Sequence, residues 1–267
     1  MNTGNVRMLA DYKQRAGRQQ DAAIQPSLPE RLISCSVFHS AAMRTELREL
    51  WFAMVSGEVA LLVGDAGVGK TLLSCELLHR MPRSVHTLYL SAPLHGHRWF
   101  LGRVQDKLFM AWRQRALSGV AQHWVIAIDD AHRLDALTLA RIGELRQQAQ
   151  AAGLPVGMLL VGRPNLLETV ASPQLKRFAW EATTRRELPP CTYAETRQFI
   201  QHWLRVHGAR GASCTDSANR IIHYATDGVP RRIEQVCGRA LEALRSRGAT
   251  TINAMAAARA AWGILGN

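Results

Sequence analysis

The chain has 267 residues, 47% of them hydrophobic, enough for one large folded unit or a large unit with a small satellite. Lysine and arginine number 33 against 21 aspartates and glutamates; the net charge of +12 favours contact with a polyanion, nucleic acid first, with a merely basic solvated surface as the alternative. No apolar run of about eighteen residues or more suggests a membrane span, and the five scattered cysteines (Cys35, Cys75, Cys191, Cys214, Cys237) contain no C-x-x-C pair, which points away from a zinc site or disulfide framework and toward a reducing cytoplasm.

In chain order, residues 1–30 are polar, carry Pro26 and Pro29, and set Arg7, Lys13, Arg15 and Arg18 against Asp11 and Asp21; this composition predicts a flexible basic arm. A compact pattern then runs over 31–190. Its apolar runs at 59–63, 87–90, 124–128 and 156–161 are short and bounded by turn residues, as buried parallel strands are, and 181–188 supplies a further strand. Helical periodicity fills the gaps, most clearly over 99–117 and 136–151, so the order is β-α-β-α and the class is α/β. After Pro189-Pro190 only helical patterns follow, over 193–206, 214–225, 230–245 and 251–265. A domain boundary is therefore expected near Pro190, with 191–267 forming a helical unit.

Between the first strand and the next helix the chain reads Gly64-Asp65-Ala66-Gly67-Val68-Gly69-Lys70-Thr71, a complete G-x-x-x-x-G-K-[ST] phosphate-binding loop. The glycines let successive N–H groups turn inward, and the N-terminus of the following helix adds partial positive charge, a geometry suited to phosphate oxygens. Lys70 is expected to reach the β- and γ-phosphates of ATP as a point charge, and the Thr71 hydroxyl to ligate the accompanying Mg²⁺. Some sixty residues on, the strand at 124–128 runs into Asp129 and Asp130. Behind a phosphate loop this has the form of a Walker B element: Asp129 holds Mg²⁺ through water, and Asp130 orients and deprotonates the attacking water.

Asp129-Asp130-Ala131-His132-Arg133-Leu134, a helix, and then Leu159-Leu160-Val161-Gly162-Arg163-Pro164-Asn165-Leu166 resemble the AAA+ ATPases of the ExeA, TniB and TnsC type, which include ATP-dependent target-DNA regulators of transposons distantly similar to MuB and IstB. Gln174 to Phe178 and Gly228 to Ile233 extend the likeness in order and spacing. The resemblance implies a three-layer P-loop NTPase sandwich with a five-stranded parallel sheet and a C-terminal helical lid. It puts Arg163 at the sensor-1 position, where an ordinary turn arginine is the rival reading, and Arg231 at the sensor-2 position of the lid. It makes Arg177 an arginine finger for a neighbouring subunit, with Arg185 and Arg186 as rivals. One departure stands out: the family usually has Glu after the Walker B Asp, and Asp130 is one methylene shorter, so slow hydrolysis is expected.

The segment 98–115 sets Arg98, Arg103, Lys107, Arg113 and Arg115 against the single acid Asp106. In the resembling regulators this region follows the DNA backbone, which makes Arg103, Lys107 and Arg113 candidate phosphate contacts, against the alternative of a solvated helix face. His95-Gly96-His97 lacks further nearby ligands for zinc and reads as a loop pair. The resemblance thus implies an ATP-dependent regulator that oligomerises on duplex DNA and recruits a transposase, with a target-selector protein as a further candidate partner. The alternatives are an ExeA-like secretion-assembly ATPase and a nucleotide-gated scaffold with negligible hydrolysis. ExeA-like factors normally continue into a membrane span and a cell-wall-binding module, neither of which these residues contain, and this weighs toward DNA.

Overall fold

A computed structural model describes residues 38–265 apart from 94, 119–122, 177–183, 208–210 and 247. The expected arm at 1–30 and the candidate finger Arg177 lie outside the described residues. The chain order is α1 (Ala41–Val55), β1 (Val59–Val63), α2 (Lys70–His79), β2 (Val85–Ser91), α3 (His97–Ser118), β3 (His123–Asp129), a 3₁₀ turn (Ala131–Arg133), α4 (Ala136–Ala151), β4 (Val156–Gly162), α5 (Asn165–Ala171), α6 (Pro173–Lys176) and β5 (Thr184–Glu187). There follow α7 (Tyr193–His207), β6 (Ser213–Cys214), α8 (Asp216–Thr226), α9 (Pro230–Arg245), β7 (Thr251–Ile252) and α10 (Ala254–Leu265).

The five-stranded sheet is parallel throughout, in the order β2-β3-β4-β1-β5. Every residue of β1 and β4 is buried, which explains why these strands read as unbroken apolar runs: helices cover both faces. Successive residues feed opposite cores. Leu61 and Val63 join Phe100, Val104, Ile128, Leu139 and Ile142 beneath α3 and α4, while Ala60 and Leu62 join Leu50, Met54, Leu73 and Leu77 beneath α1 and α2. The result is the three-layer α/β sandwich that the sequence predicts.

Helices α7 to α10 gather around a core of their own, with Ile200, Leu204, Ile222, Ile233, Val236, Leu241 and Ile252 at its centre. Here the structure departs from the all-helical expectation. Ser213↔Thr251 and Cys214↔Ile252 form a short parallel pair, so the helices expected from 214 and 251 begin at Asp216 and Ala254 instead. Thr215 and Asn253 end these pairs as caps: Thr215 Oγ1 accepts from the Ala218 N–H at 3.3 Å and Asn253 Oδ1 from the Ala256 N–H at 2.9 Å.

Candidate nucleotide-binding site

Because the strands are parallel, the residues that leave β1, β3 and β4 emerge at one edge of the sheet, the edge where open α/β sheets bind ligands. The first of these is the phosphate loop. Gly67 and Gly69 hold φ of 89° and 108°, and a Cβ on Gly67 would lie 2.9 Å from the Cβ of Arg231, so both the turn and the packing above it require glycine. Asp65 and Ala66 are exposed, and Val68 anchors the loop in the core. Lys70 opens α2, and its Nζ donates to the carbonyls of Gly64 at 2.9 Å and Asp65 at 2.7 Å. Burial holds its pKa below the ordinary lysine value; Asp129 and Asp130 pull it up and Arg163 adds to the lowering, which places all four charges in one electrostatic neighbourhood.

Asp129, the last residue of β3, is 6% exposed. Its Oδ2 accepts from the Thr71 hydroxyl at 2.6 Å and from the Tyr89 hydroxyl at 2.7 Å, and its Oδ1 accepts from the Asp130 N–H at 2.8 Å. Asp130 sits in the left-handed region at φ 53° and forms an ion pair with Arg133 at 3.0 Å; His132 Nδ1 stands 4.0 Å from its other oxygen. Burial lowers the pKa of His132, against the pull of Asp130, and leaves a neutral imidazole at neutral pH. Arg163 follows β4 and is exposed.

The fourth side of the site comes from α9. The Arg231 N–H donates to the Gly67 carbonyl at 3.2 Å, and the Arg231 stem packs on the same glycine. Just before it, Gly228 at φ 68° is packed so that any Cβ would overlap the Cys191 carbonyl, and Cys191 N–H donates to the Gly228 carbonyl at 2.9 Å. The helical unit is thereby fastened directly to the phosphate loop.

The structure brings together Gly64 to Thr71, Asp129, Asp130, Arg163 and Arg231. Of the rivals to Arg177, Arg186 is committed to Glu46 at 3.5 Å and Glu49 at 3.1 Å on α1, whereas Arg185 is exposed. Arg103 and Lys107 lie one turn apart on α3, remote in sequence from the loop; the Arg103 guanidinium covers the exposed Trp99 ring at 4.9 Å from its centroid. Arg113 is exposed and turned about 80° from Arg103 around the helix axis. His97 Nδ1 pairs with Asp135 at 3.2 Å, and no metal-binding group of three or more His, Cys, Asp or Glu occurs among the described residues. Two site neighbours carried no role in the sequence reading: Tyr89, whose strand was expected but whose register was not, and Arg133.

The donor set fits Mg²⁺-ATP. A hydroxyl and a buried carboxylate in hydrogen-bond contact offer only hard oxygen atoms, which suits Mg²⁺, and the glycine turn leaves main-chain room for phosphates. Sheet, loop and acids together define the P-loop NTPase fold of the AAA+ kind. A family model described as an AAA domain matches residues 55–170. The chain is 27% identical over 211 residues to the general secretion pathway protein A of Aeromonas hydrophila, an alignment covering 73% of this chain and 39% of that protein; it thus spans about two fifths of that relative's length. Among solved structures, the Aeropyrum pernix ORC1 protein in complex with DNA superposes with a TM-score of 0.63 at 19% identity, over 89% of this chain and 68% of that one. The Thermotoga maritima RuvB Holliday junction branch migration motor gives 0.60 at 19% identity, over 83% and 69%. At such identities these two likenesses speak for the fold.

Proposed function

We propose that this chain is a Mg²⁺-dependent ATPase whose nucleotide state governs its assembly on a partner, duplex DNA in the reading we favour. The observation that carries the nucleotide chemistry is the Thr71–Asp129 hydrogen bond at the mouth of the phosphate loop. It couples the two side chains that such a site uses to hold the metal. Mg²⁺ would supply charge neutralisation to the nucleotide phosphates; Thr71 and Asp129 would hold it, and Lys70 would bind phosphate oxygens from the loop side. Asp130 orients the attacking water and takes its proton, Arg163 and Arg231 balance the charge that develops, and Arg177 is a finger offered to a neighbouring copy.

Residues 31–190 act in this reading as the nucleotide domain and 191–267 as its lid, joined through the Gly67–Arg231 contact. Support for DNA comes from the +12 net charge and from the cations along α3. On this reading the protein works in the cytoplasm as a transposition regulator, marking target DNA for a transposase and, where one takes part, for a target-selector protein. A secretion-assembly role is the second reading, and the similarity to the Aeromonas secretion protein favours it. Among the described residues no helix is long and apolar enough to cross a membrane.

Calorimetric titration with ATP, with and without Mg²⁺, tests the core of the proposal. The parent should bind in a Mg²⁺-dependent manner and Lys70→Ala should lose binding, since the loop loses its point charge on the transferable phosphates. Unchanged affinity in the variant would refute the assignment.

A further inference from the structure

Thr71 and Asp129 are the pair expected of a phosphate loop and a Walker B strand, but Asp129 carries a third contact from outside both motifs. Tyr89 stands on β2, beside Ala127 of β3 in the parallel register, and its hydroxyl reaches the same Oδ2 that Thr71 uses. We propose that Tyr89 is a positioning residue for the metal site: its hydroxyl locks the Asp129 carboxylate in the rotamer that presents it to a divalent cation bound with nucleotide.

The geometry leaves the carboxylate little freedom. Asp129 is 6% exposed, its Oδ1 is occupied by the Asp130 N–H, and its Oδ2 lies between two hydroxyls at 2.6 and 2.7 Å. A carboxylate oxygen has two lone pairs in its plane. With Tyr89 taking one and Thr71 the other, the plane of the group is fixed by three donors on three separate pieces of chain: β2, the head of α2, and the turn after β3. Tyr89 acts as the donor here, because a carboxylate oxygen can only accept. Without the phenolic hydroxyl, one lone pair of a buried carboxylate loses its partner, and the group can rotate toward whatever donor remains, the Asp130 N–H or Lys70. A partner standing behind a metal-holding carboxylate contributes by such orientation, and loss of such a partner typically weakens metal affinity about 10–100-fold.

This proposal rests on the Mg²⁺-nucleotide reading of the site, and its test separates the two. Tyr89→Phe keeps the ring and removes only the hydroxyl. Affinity for a fluorescent ATP analogue is measured in EDTA and across a Mg²⁺ series for the parent, Tyr89→Phe and Thr71→Val, the last setting the scale for losing a direct metal-holding group. Tyr89→Phe should match the parent in EDTA within about twofold, while the Mg²⁺ concentration at half-effect rises roughly 10–100-fold. The ratio of affinities with and without Mg²⁺ is internal to each protein, so a general loss of stability in the variant cancels from it. An unchanged Mg²⁺ midpoint, whatever happens to the melting temperature, would overturn the positioning role and leave Tyr89 as a packing residue. A parent protein that binds the analogue without any Mg²⁺ effect would overturn the metal-site reading itself, and the role of Tyr89 with it.

Discussion

Asp130, the base in the proposed reading, is held under a geometric constraint. It follows the buried Asp129, it occupies a left-handed turn at φ 53°, and its Oδ2 is held 3.0 Å from the Arg133 guanidinium. A carboxylate one methylene shorter than glutamate gives up reach, and pairing with Arg133 ties one of its oxygens to a guanidinium. We expect Asp130→Asn to leave ATP binding unchanged in calorimetry and to cut turnover about 10²–10⁴-fold, the usual worth of a positioned general base. A variant hydrolysing at the parental rate would assign the water to another group. At this scale the phosphate loop was legible in the sequence because eight adjacent residues spell it. Asp129 and Asp130 were legible because a strand and a spacing precede them. Tyr89 and Arg133 were not, since the first acts through the register of β2 on β3 and the second through a turn whose shape no pattern of residue types announces.

Among the elements, α7 is tied to α1 by one carboxylate. Glu195 Oε2 accepts from the Thr192 N–H and hydroxyl, both at 3.0 Å, closing a capping box at the start of α7, while its Oε1 accepts from the Ala41 N–H at 3.1 Å at the start of α1. Burial is the largest single influence on this group and raises its pKa. The hydrogen bonds from Thr192, Ala41 and Ala42 together outweigh it and hold the value below 4.5. A carboxyl with a depressed folded pKa contributes stability that is present above its unfolded value and lost as pH falls through the folded value. Glu195→Gln should therefore lower stability by about 1–2 kcal/mol at pH 7, and the gap to the parent should close in urea titrations as pH falls below 4.5 and through the depressed folded value. A gap independent of pH would assign the effect to packing. The elements with a long period were the legible ones: α4 and α9 run over the expected residues, and β1 likewise. Two-residue strands carry no period, which is why Cys214 of β6 and both residues of β7 read as helix from the sequence. Helix α1 went unmarked because its role is to cover a sheet face and to receive Arg186 and Glu195, contacts made across more than a hundred residues.

For the whole molecule, charge decides which partner is worth testing. A chain with a net +12 and a site built for ATP gains most from nucleotide control if ATP brings the cations of neighbouring copies into line along one polyanion. On α3, Arg103 and Lys107 share a face, and the contact with the exposed Trp99 ring restricts the Arg103 guanidinium, which then loses less ordering entropy on meeting a phosphate. Arg113 lies off that face, so a duplex would meet it only if the groove wraps the helix or if a second copy presents it. Backbone contacts position without reading bases. Binding should therefore require ATP, be cooperative, show little sequence preference, and weaken with salt at a slope of about −0.9 per phosphate neutralised. Replacing Arg103, Lys107 and Arg113 together by alanine should flatten that slope by up to about 3 per copy while ATP affinity stays at the parental value. Fluorescence anisotropy on a short duplex across a salt series, in ATP and in ADP, reads all of these at once. Parent protein that binds duplex no better in ATP than in ADP would remove the mechanism by which nucleotide could govern a DNA-bound assembly, and the secretion-assembly reading would then take precedence. A triple variant with the parental slope would keep DNA as the partner and move the contact surface off α3.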